Sequence, residues 1–389
     1  MSSVASEALA VPSIVHRVFC YLAEDAVTST DPKEHEAPGY ADLCQASLVC
    51  RAWVQPAQHR LFAALYFPGG TKQLQRWLDT VGERPVPYST ETVMFEDARV
   101  ILEDVRDDKW DFEVVGRVLQ KLKGVTEMSL CFRERKEIPV EILLDDGLKG
   151  LKILLIDSPL STPPPMAIPP FQHLETLLPI NIYPGVVRDW SSTFDFLARR
   201  TNASLPPTLR SLSLSCFMGF ETYLFPALTP FAHSIHFLGL PVLILDWRHI
   251  TFAQNCHHLQ DLHVRGLTPG WTDSLKLLLA FPHGLSHLYF DRVQGIIGGH
   301  RNLPPGATNF DPWRALLKII YKMPSLKVLD IGLARFLYPS QHAQLNELGR
   351  LKGFEVNIET IDNSYSAAEL AEFLVFITNQ SLSQHGGAP

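Results

Sequence analysis

The sequence predicts an α/β protein in which a small N-terminal helical module precedes an irregular solenoid of parallel strands that alternate with helices. Two observations predict the solenoid. A short apolar unit with the pattern L-x-x-L-x-L recurs along the chain, and segments of helical periodicity lie between its copies. A third observation separates the N-terminal module, because its apolar positions follow helical spacing and the repeated unit starts only beyond it.

The apolar unit marks the strand of each repeat. Its copies are Val125/Met128/Leu130, Leu151/Leu154/Ile156, Leu209/Leu212/Leu214, Ile235/Leu238/Leu240, Leu259/Leu262/Val264, Leu285/Leu288/Phe290, Leu326/Leu329/Ile331 and Leu351/Phe354/Val356, with a weaker copy that begins at Phe171 or Leu174. The copies that begin at 209, 235, 259 and 285 are 26, 24 and 26 residues apart, a period that resembles leucine-rich repeats. In such proteins each repeat buries its apolar side only by stacking on its neighbours.

Segments between these strands carry the pattern of amphipathic helices. They cover residues 71–81, 111–121, 192–200, 247–255, 273–280, 311–322, 341–348 and 366–378. Two of them have clear start signals, since Asp311 and Pro312 suit the N-cap and the first turn, and Ser366 begins a capping box. The repeats are therefore predicted over 71–380, with a flexible tail over 381–389.

Two features predict that the solenoid is irregular. The position three residues after the last leucine, where the repeat family usually has Asn or Cys in a hydrogen-bonded ladder, holds Phe217, Leu243, Leu267, Val293 and Ala334. Proline- and glycine-rich segments also interrupt the repeats. Residues 157–170 are predicted as a rigid or disordered loop, and 291–311 as an insertion that flanks the open surface.

The N-terminal module is predicted over 10–66. Residues 12–22 place their apolar side chains on one stripe of a helix, and a polar loop follows over 23–40. A second helix is predicted over 41–53, and a third begins near Pro56, because proline is tolerated in the first turn of a helix.

Two fragments of this module carry a recognisable pattern. The first contains Pro12-x-Ile14 and Phe19-x-Tyr21-Leu22, and the second is Ser47-Leu48-Val49-Cys50-Arg51-x-Trp53. Together they resemble an F-box, similar to those of basidiomycete fungi, which docks onto the Skp adaptor of a cullin–RING ubiquitin ligase. The chain departs from the family pattern at Val11 and Ser13, where the family favours Leu and Glu, and in the long link between the fragments.

The resemblance implies an adaptor-binding surface on this module. Its residues are Pro12, Ile14, Val15, Val18, Phe19, Leu22, Leu43, Leu48, Val49, Cys50 and Trp53. Large apolar side chains of this kind stabilise an interface when they are buried, but they suit the core of an ordinary helical cap equally well. The sequence leaves both interpretations open.

The function implied by the resemblance is a substrate-recognition subunit of an SCF-type ubiquitin ligase. Its partners would be the Skp adaptor and the cullin scaffold, and the repeats would bind an unknown target protein. Such a subunit needs no catalytic residues and no cofactor, because it acts by holding the target near the ubiquitin-loaded enzyme. The alternative is a leucine-rich-repeat scaffold outside any ligase. A hydrolase is a weaker third interpretation, since the sequence contains no common hydrolase motif.

Composition narrows the classes of partner. The 389 residues carry a net charge of −7, from 34 Lys and Arg against 41 Asp and Glu, which argues against a nucleic-acid partner. Six cysteines are scattered singly through apolar stretches, a pattern typical of reduced, buried thiols. The N-terminus has no signal-peptide pattern and the longest apolar run, 237–245, is short, so we expect no membrane segment and a cytoplasmic or nuclear location.

Candidate target-binding residues come from the strands. Side chains between the inward leucines face the open, concave surface of a solenoid. Two neighbouring strands place Asp261, His263, Arg265, His287, Tyr289 and Asp291 on this surface, and other strands add Ser211, Ser213, Ser215 and Asp330. This mixture suits recognition of a protein, although ordinary solvated strand residues have the same pattern. We interpret His257, His258 and His263 as surface histidines and not as metal ligands.

Overall fold

The structure is a computed structural model. It describes residues 51–67, 70–96, 110–132, 137–179, 190–199, 208–214, 227–240, 247–266, 278, 281, 284–292, 312–332 and 339–358. Several predicted features lie outside these residues: the helix over 12–22, the loop over 23–40, most of the second helix, the helix over 366–378 and the tail. The helix over 273–280 is described at one residue, and the insertion over 291–311 only at its first two.

The described strands form one open, parallel sheet of eleven strands whose spatial order equals their order in the chain. They are β1 (Ala64–Phe67), β2 (Thr92–Glu96), β3 (Glu127–Cys131), β4 (Ile153–Ile156), β5 (Thr176–Pro179), β6 (Ser211–Ser213), β7 (Phe237–Leu240), β8 (Asp261–Gly266), β9 (His287–Arg292), β10 (Val328–Ile331) and β11 (Glu355–Ile358). Each inner strand pairs with the preceding and the following strand, as in a stack of repeated units. The predicted α/β class, with parallel strands that alternate with helices, is confirmed.

The helices lie between these strands. They are α1 (Arg51–Ala63), α2 (Gly70–Val81), α3 (Phe112–Lys121), α4 (Ser191–Ala198), α5 (Trp247–Asn255), α6 (Pro312–Lys322) and α7 (Pro339–Lys352). Short 3₁₀ turns cover Val140–Leu143, Asp146–Leu148 and Thr229–Phe231. The bounds of α2 to α6 agree closely with the predicted ranges, whereas α7 is longer at both ends. Local chemistry explains one start, since the Asp111 carboxylate accepts from the Glu113 amide at 2.9 Å.

The first helix differs from the prediction. The prediction that a helix begins near Pro56 is wrong, because α1 passes through Pro56 and leads directly into β1. Proline removes one backbone hydrogen bond, but contacts made by the following residues hold the helix. Ala57 is fully buried, and the Tyr88 hydroxyl donates to Gln58 Oε1 at 2.7 Å. The sheet therefore begins at Ala64, inside the range predicted for the N-terminal module.

The register of the sheet places one apolar residue from every strand in a single row. That row is Leu65, Val93, Met128, Leu154, Leu177, Leu212, Leu238, Leu262, Leu288, Leu329 and Val356. From Leu65 to Leu329 these side chains are at most 6% exposed. A second row, two residues further along, includes Phe95, Leu130, Ile156, Leu240, Val264 and Phe290 and is equally buried. Both rows belong to one continuous core with the helices.

A backbone ladder runs beside the starts of the strands. The Glu91 carbonyl accepts from the amides of Thr126 and Glu127 at 2.8 and 2.9 Å. The same pattern, one carbonyl with two consecutive amides, recurs at Thr126, Lys152, Glu175, Arg210, His236, Gln260 and Ser286. These bonds fix the spacing of the repeats without any side chain. The residues at the expected Asn or Cys position, from Phe217 to Ala334, lie outside the described part of the chain.

The predicted register of the last repeat is wrong. Val356, not Phe354, pairs with Leu329. The reason is the length of α7, which includes Leu351 and leaves that side chain 63% exposed instead of buried. The chain then turns at Gly353, whose φ of 78° favours glycine, and Phe354 enters the core in place of Leu351.

The proline-rich segment over 157–170 is held by several contacts. Leu160 forms a β-bridge with Ile138, and Arg199 Nη1 donates to the carbonyls of Pro164 and Ala167 at 2.8 and 2.9 Å. Of the two predicted alternatives, a rigid loop describes this segment.

The expectation of buried thiols is met at two of the six cysteines. Cys131 and Cys256 are buried thiols, and burial raises the pKa of the Cys256 thiol to about 12, so this thiol stays protonated. None of the helices in the described ranges has the length and apolar character needed to cross a membrane.

The register predicts that two Leu→Ala substitutions lower the free energy of unfolding by different amounts. Leu262→Ala removes a fully buried side chain and is expected to lower the free energy of unfolding by about 2–5 kcal/mol. Leu351→Ala shortens an exposed side chain and is expected to change it by less than about 0.5 kcal/mol. Urea unfolding followed by circular dichroism measures both. Equal losses would contradict the register described above.

Replacing two helical glycines with alanine is expected to change the stability of the protein in opposite directions. A Cβ at Gly349 would lie 2.7 Å from Val356 Cγ2 and 2.8 Å from the Phe354 carbonyl oxygen, so Gly349→Ala should destabilise the protein by roughly 1–3 kcal/mol. A Cβ at Gly116 has no neighbour within 4 Å, so Gly116→Ala should stabilise it by up to about 1 kcal/mol. Thermal unfolding of the two variants tests the pair, and stabilisation by Gly349→Ala would be inconsistent with the packing of α7 on β11.

Candidate functional site

The face of the sheet opposite the core carries two rows of side chains. The first row is Ala64, Thr92, Glu127, Ile153, Thr176, Ser211, Phe237, Asp261, His287, Val328 and Glu355. The second row is Tyr66, Met94, Ser129, Leu155, Leu178, Ser213, Gly239, His263, Tyr289, Asp330 and Asn357. The rows are apolar at β4, and from β8 to β11 every residue in them except Val328 is polar or charged. We call the group Asp261, His263, His287, Tyr289, Asp330 and Asn357 the polar patch.

The predicted target-binding residues fall on this face as far as the structure describes them. Asp261, His263, His287 and Tyr289 lie half-buried in the polar patch. Arg265 and Asp291 belong to β8 and β9, but their side chains lie outside the described part of the structure. Ser211, Ser213 and Asp330 also lie on the open face, whereas Ser215 is outside the described residues.

One member of the polar patch was missed by sequence reasoning. Asn357 lies beside Asp330 because Val356 pairs with Leu329. The predicted unit placed Phe354 where Val356 lies, so the outward positions of the last repeat were assigned too early in the chain. Alternation of Glu355, Val356 and Asn357 was the available signal, but it is short and weak.

A chain of polar contacts crosses four strands of the patch. His287 Nδ1 lies 3.5 Å from Asp261 Oδ1, and its Nε2 lies 2.5 Å from Asp330 Oδ2. Asn357 Nδ2 donates to Asp330 Oδ1 at 2.9 Å. Asp261 and His287 are direct neighbours in the register, whereas Asp330 is the diagonal neighbour of His287, a distance that long side chains span. An imidazolium at His287 can donate to both carboxylates, because each ring nitrogen then carries a hydrogen.

Aromatic rings form the second component of the patch. The His263 ring lies 4.6 Å from the Phe237 ring, 4.9 Å from the Tyr289 ring and 5.3 Å from the His287 ring, measured between centroids. Gly239 lies between Ser213 and His263 in the second row and adds no side chain there. The rings therefore form a continuous aromatic surface beside the carboxylates.

Burial and charge together favour neutral His263. Burial lowers the pKa of His263 below its ordinary value of 6.5, and the neighbouring His287 lowers it further, while Asp261 and Asp330 act in the opposite direction. At neutral pH the ring is therefore an uncharged aromatic group with one donor and one acceptor nitrogen.

A depression of about 430 Å³ opens beside the patch at the ends of β9, β10 and β11. It is lined by Tyr289, Asp330, Ile331, Gly332, Val356, Asn357 and Ile358. Its volume lies in the lower part of the range found for small-molecule binding clefts. The open-face residues in this lining are an aromatic ring, a carboxylate and an amide, so the depression offers hydrogen-bonding groups beside an aromatic ring.

The geometry of the described residues points to binding. His257 and His258 lie in the exposed turn before β8, and within the described ranges no three His, Cys, Asp or Glu side chains converge as metal ligands. The patch instead joins half-buried polar groups and aromatic rings on a rigid sheet, which is the composition of many protein-recognition surfaces.

Comparison with known proteins adds no assignment. No protein-family model matches the sequence, and no curated protein is similar to it.

The pKa of His263 should depend on His287. His287→Gln removes one of the two causes that lower this pKa, so the value is expected to rise toward 6.5 while burial keeps it lower. NMR titration of the histidine ring signals measures it. His173→Gln, at an exposed histidine before β5, is the matched control and should leave the value unchanged. A fall in the His263 pKa on replacing His287 would refute the arrangement.

The same shift has a consequence for stability. Because the pKa of His263 is lower in the folded than in the unfolded chain, the unfolded chain binds the proton more readily. The contribution of this residue is complete above pH 6.5 and is lost as the pH falls through the lowered pKa. His263→Gln should therefore reduce the loss of stability on acidification below pH 6.5, measured by urea unfolding at a series of pH values.

Proposed function

We propose that this chain is the target-recognition subunit of an F-box type ubiquitin ligase. Its N-terminal helices would bind the Skp adaptor, and the open face of the sheet would bind the target. The observation that carries the proposal is the presence on one chain of the F-box-like fragments around Ser47 to Trp53 and a sheet whose open face bears a built polar patch.

The recognition half of the proposal is supported by the patch itself. Its carboxylates and imidazoles are held by one another, so a partner meets groups that are already positioned and loses little side-chain entropy on binding. The Phe237, His263 and Tyr289 rings lie next to these groups and supply contact area. Aromatic anchors beside satisfied polar groups are typical of the centre of a protein interface.

The adaptor half of the proposal is supported by the link between the fragments and the sheet. The second fragment ends inside α1, and α1 continues into β1 without a linker. Tyr88, which lies between α2 and β2, attaches the helix to that segment, because its hydroxyl donates to Gln58 and its ring stacks on Phe62 at 5.6 Å. An adaptor bound near the start of α1 would therefore be fixed relative to the sheet.

This rigid connection suits the way such a subunit acts. A tethered target reaches the ubiquitin-loaded enzyme at a high effective concentration, and the gain depends on a span that permits both contacts at once. Catalytic groups would come from other subunits. The chain would contribute affinity for the target and its orientation.

The second candidate is a leucine-rich-repeat scaffold that binds a partner outside any ligase. The same open face favours it, since target binding at the patch would need no adaptor. The two functions differ only in whether the residues before α1 bind the adaptor.

Co-purification with the Skp adaptor separates these candidates. The wild-type chain is expected to retain the adaptor, and Leu48→Asp should abolish this, because a buried charge at an apolar interface costs several kcal/mol. Trp53→Ala should weaken retention by about 2 kcal/mol or more if this side chain is an anchor. The measurement is the amount of adaptor that is recovered in a pull-down from purified components.

Asp330→Asn, on the open face, is the control and should retain the adaptor like the wild type. Failure of the wild-type chain to bind any adaptor would rule out the ligase and leave the scaffold. Unchanged binding by both Leu48→Asp and Trp53→Ala would show that the assigned adaptor surface is wrong.

A further inference from the structure

The depression beside the polar patch has a distinctive charge. The described side chains of β8 to β11 that face the open side are Asp261, His263, His287, Tyr289, Val328, Asp330, Glu355 and Asn357. Three of these are carboxylates, and no Lys or Arg occurs among them. His263 favours its neutral form, so even a protonated His287 leaves an excess of negative charge. A cationic group is therefore the complementary ligand.

The acceptors in the depression are arranged for several donors at once. Asn357 directs its NH₂ group to Asp330 Oδ1, which leaves the amide oxygen as an acceptor. Each oxygen of the Asp330 carboxylate accepts one protein hydrogen bond, from Asn357 or from His287, and has a second lone pair for a ligand. A carboxylate whose position is fixed from both sides is a preorganised partner for a forked donor.

The aromatic lining favours a flat cation. Tyr289 lines the depression beside Asp330, and its ring is positioned by contact with His263 at 4.9 Å. A guanidinium group stacks on an aromatic face and donates through a planar fork, whereas an ammonium group is a compact, strongly hydrated point charge.

We propose that this depression binds an arginine side chain of the target protein. The guanidinium group stacks on Tyr289 and donates to the Asp330 carboxylate and the Asn357 amide oxygen. The inference rests on the proposed function only in that the open face recognises a protein, and it holds for a ligase subunit and for a scaffold alike.

Selection from a random peptide library on phage tests the proposal. The library is selected on the full chain and counter-selected on Asp330→Asn, and the enriched peptides are expected to share an arginine. Each selected peptide is then synthesised with arginine and with citrulline, its uncharged analogue of the same shape. Titration calorimetry should show that citrulline weakens binding about tenfold or more.

Protein variants complete the test. Asp330→Asn should weaken the arginine peptide about tenfold, whereas Glu127→Gln, at an exposed carboxylate on β3 of the same face, should bind like the wild type. Urea unfolding of Asp330→Asn checks that it folds. The citrulline comparison leaves the protein unchanged, so it remains decisive if this variant is unstable.

Three results would overturn the inference: no arginine among the selected peptides, equal affinity for arginine and citrulline, or unchanged affinity in a folded Asp330→Asn variant. These results are independent of the adaptor pull-down. If the chain binds arginine peptides but retains no adaptor in the pull-down, the ligase is refuted and this inference is supported. Adaptor binding without arginine recognition would do the reverse.

Discussion

The parallel register of the sheet is the constraint on which the rest of the structure depends. Each described strand pairs with its neighbours in chain order, so every repeat must bring one apolar residue into the same buried row. A shift of one residue in any strand would turn that row toward the open face and its polar residues into the core. The two-donor backbone ladder from Glu91 to Val328 opposes such shifts at each step. The core thus determines where the outward side chains lie.

The polar patch is a product of this register and of no single repeat. Four strands contribute to it, and the contact between His287 and Asp330 is diagonal, between residues 43 positions apart in the chain. Holding polar groups in a half-buried surface has a cost, visible in the lowered pKa of His263. The mutual hydrogen bonds of His287, Asp330 and Asn357 offset it.

Periodicity and capping residues predicted most helices and the repeated strands, because local patterns determine both. β2 was not predicted because Thr90 stands at the first position of its apolar unit, and β1 was not predicted because its unit, from Phe62 to Phe67, overlaps the end of the range assigned to the N-terminal module. The outward direction of Asp261, His263, His287 and Tyr289 followed from alternation alone. Their contacts could not be predicted, because those depend on how β8 to β11 are aligned. The alignment of β11 was predicted wrongly because α7 is longer than its pattern indicated.

The sheet also sets the separation between the two proposed binding regions. α1 joins β1 at one edge, while the patch begins at β8 and reaches β11 at the other. Since neighbouring strands lie about 4.8 Å apart, the path along the sheet from β1 to β9 is about 40 Å. The contacts of Tyr88 with Gln58 and Phe62 attach α1 to the segment that leads into β2. A target held at the patch would therefore stand at a distance fixed by the number of intervening repeats, and the loss or gain of one repeat would change that distance by about 5 Å without altering either binding region.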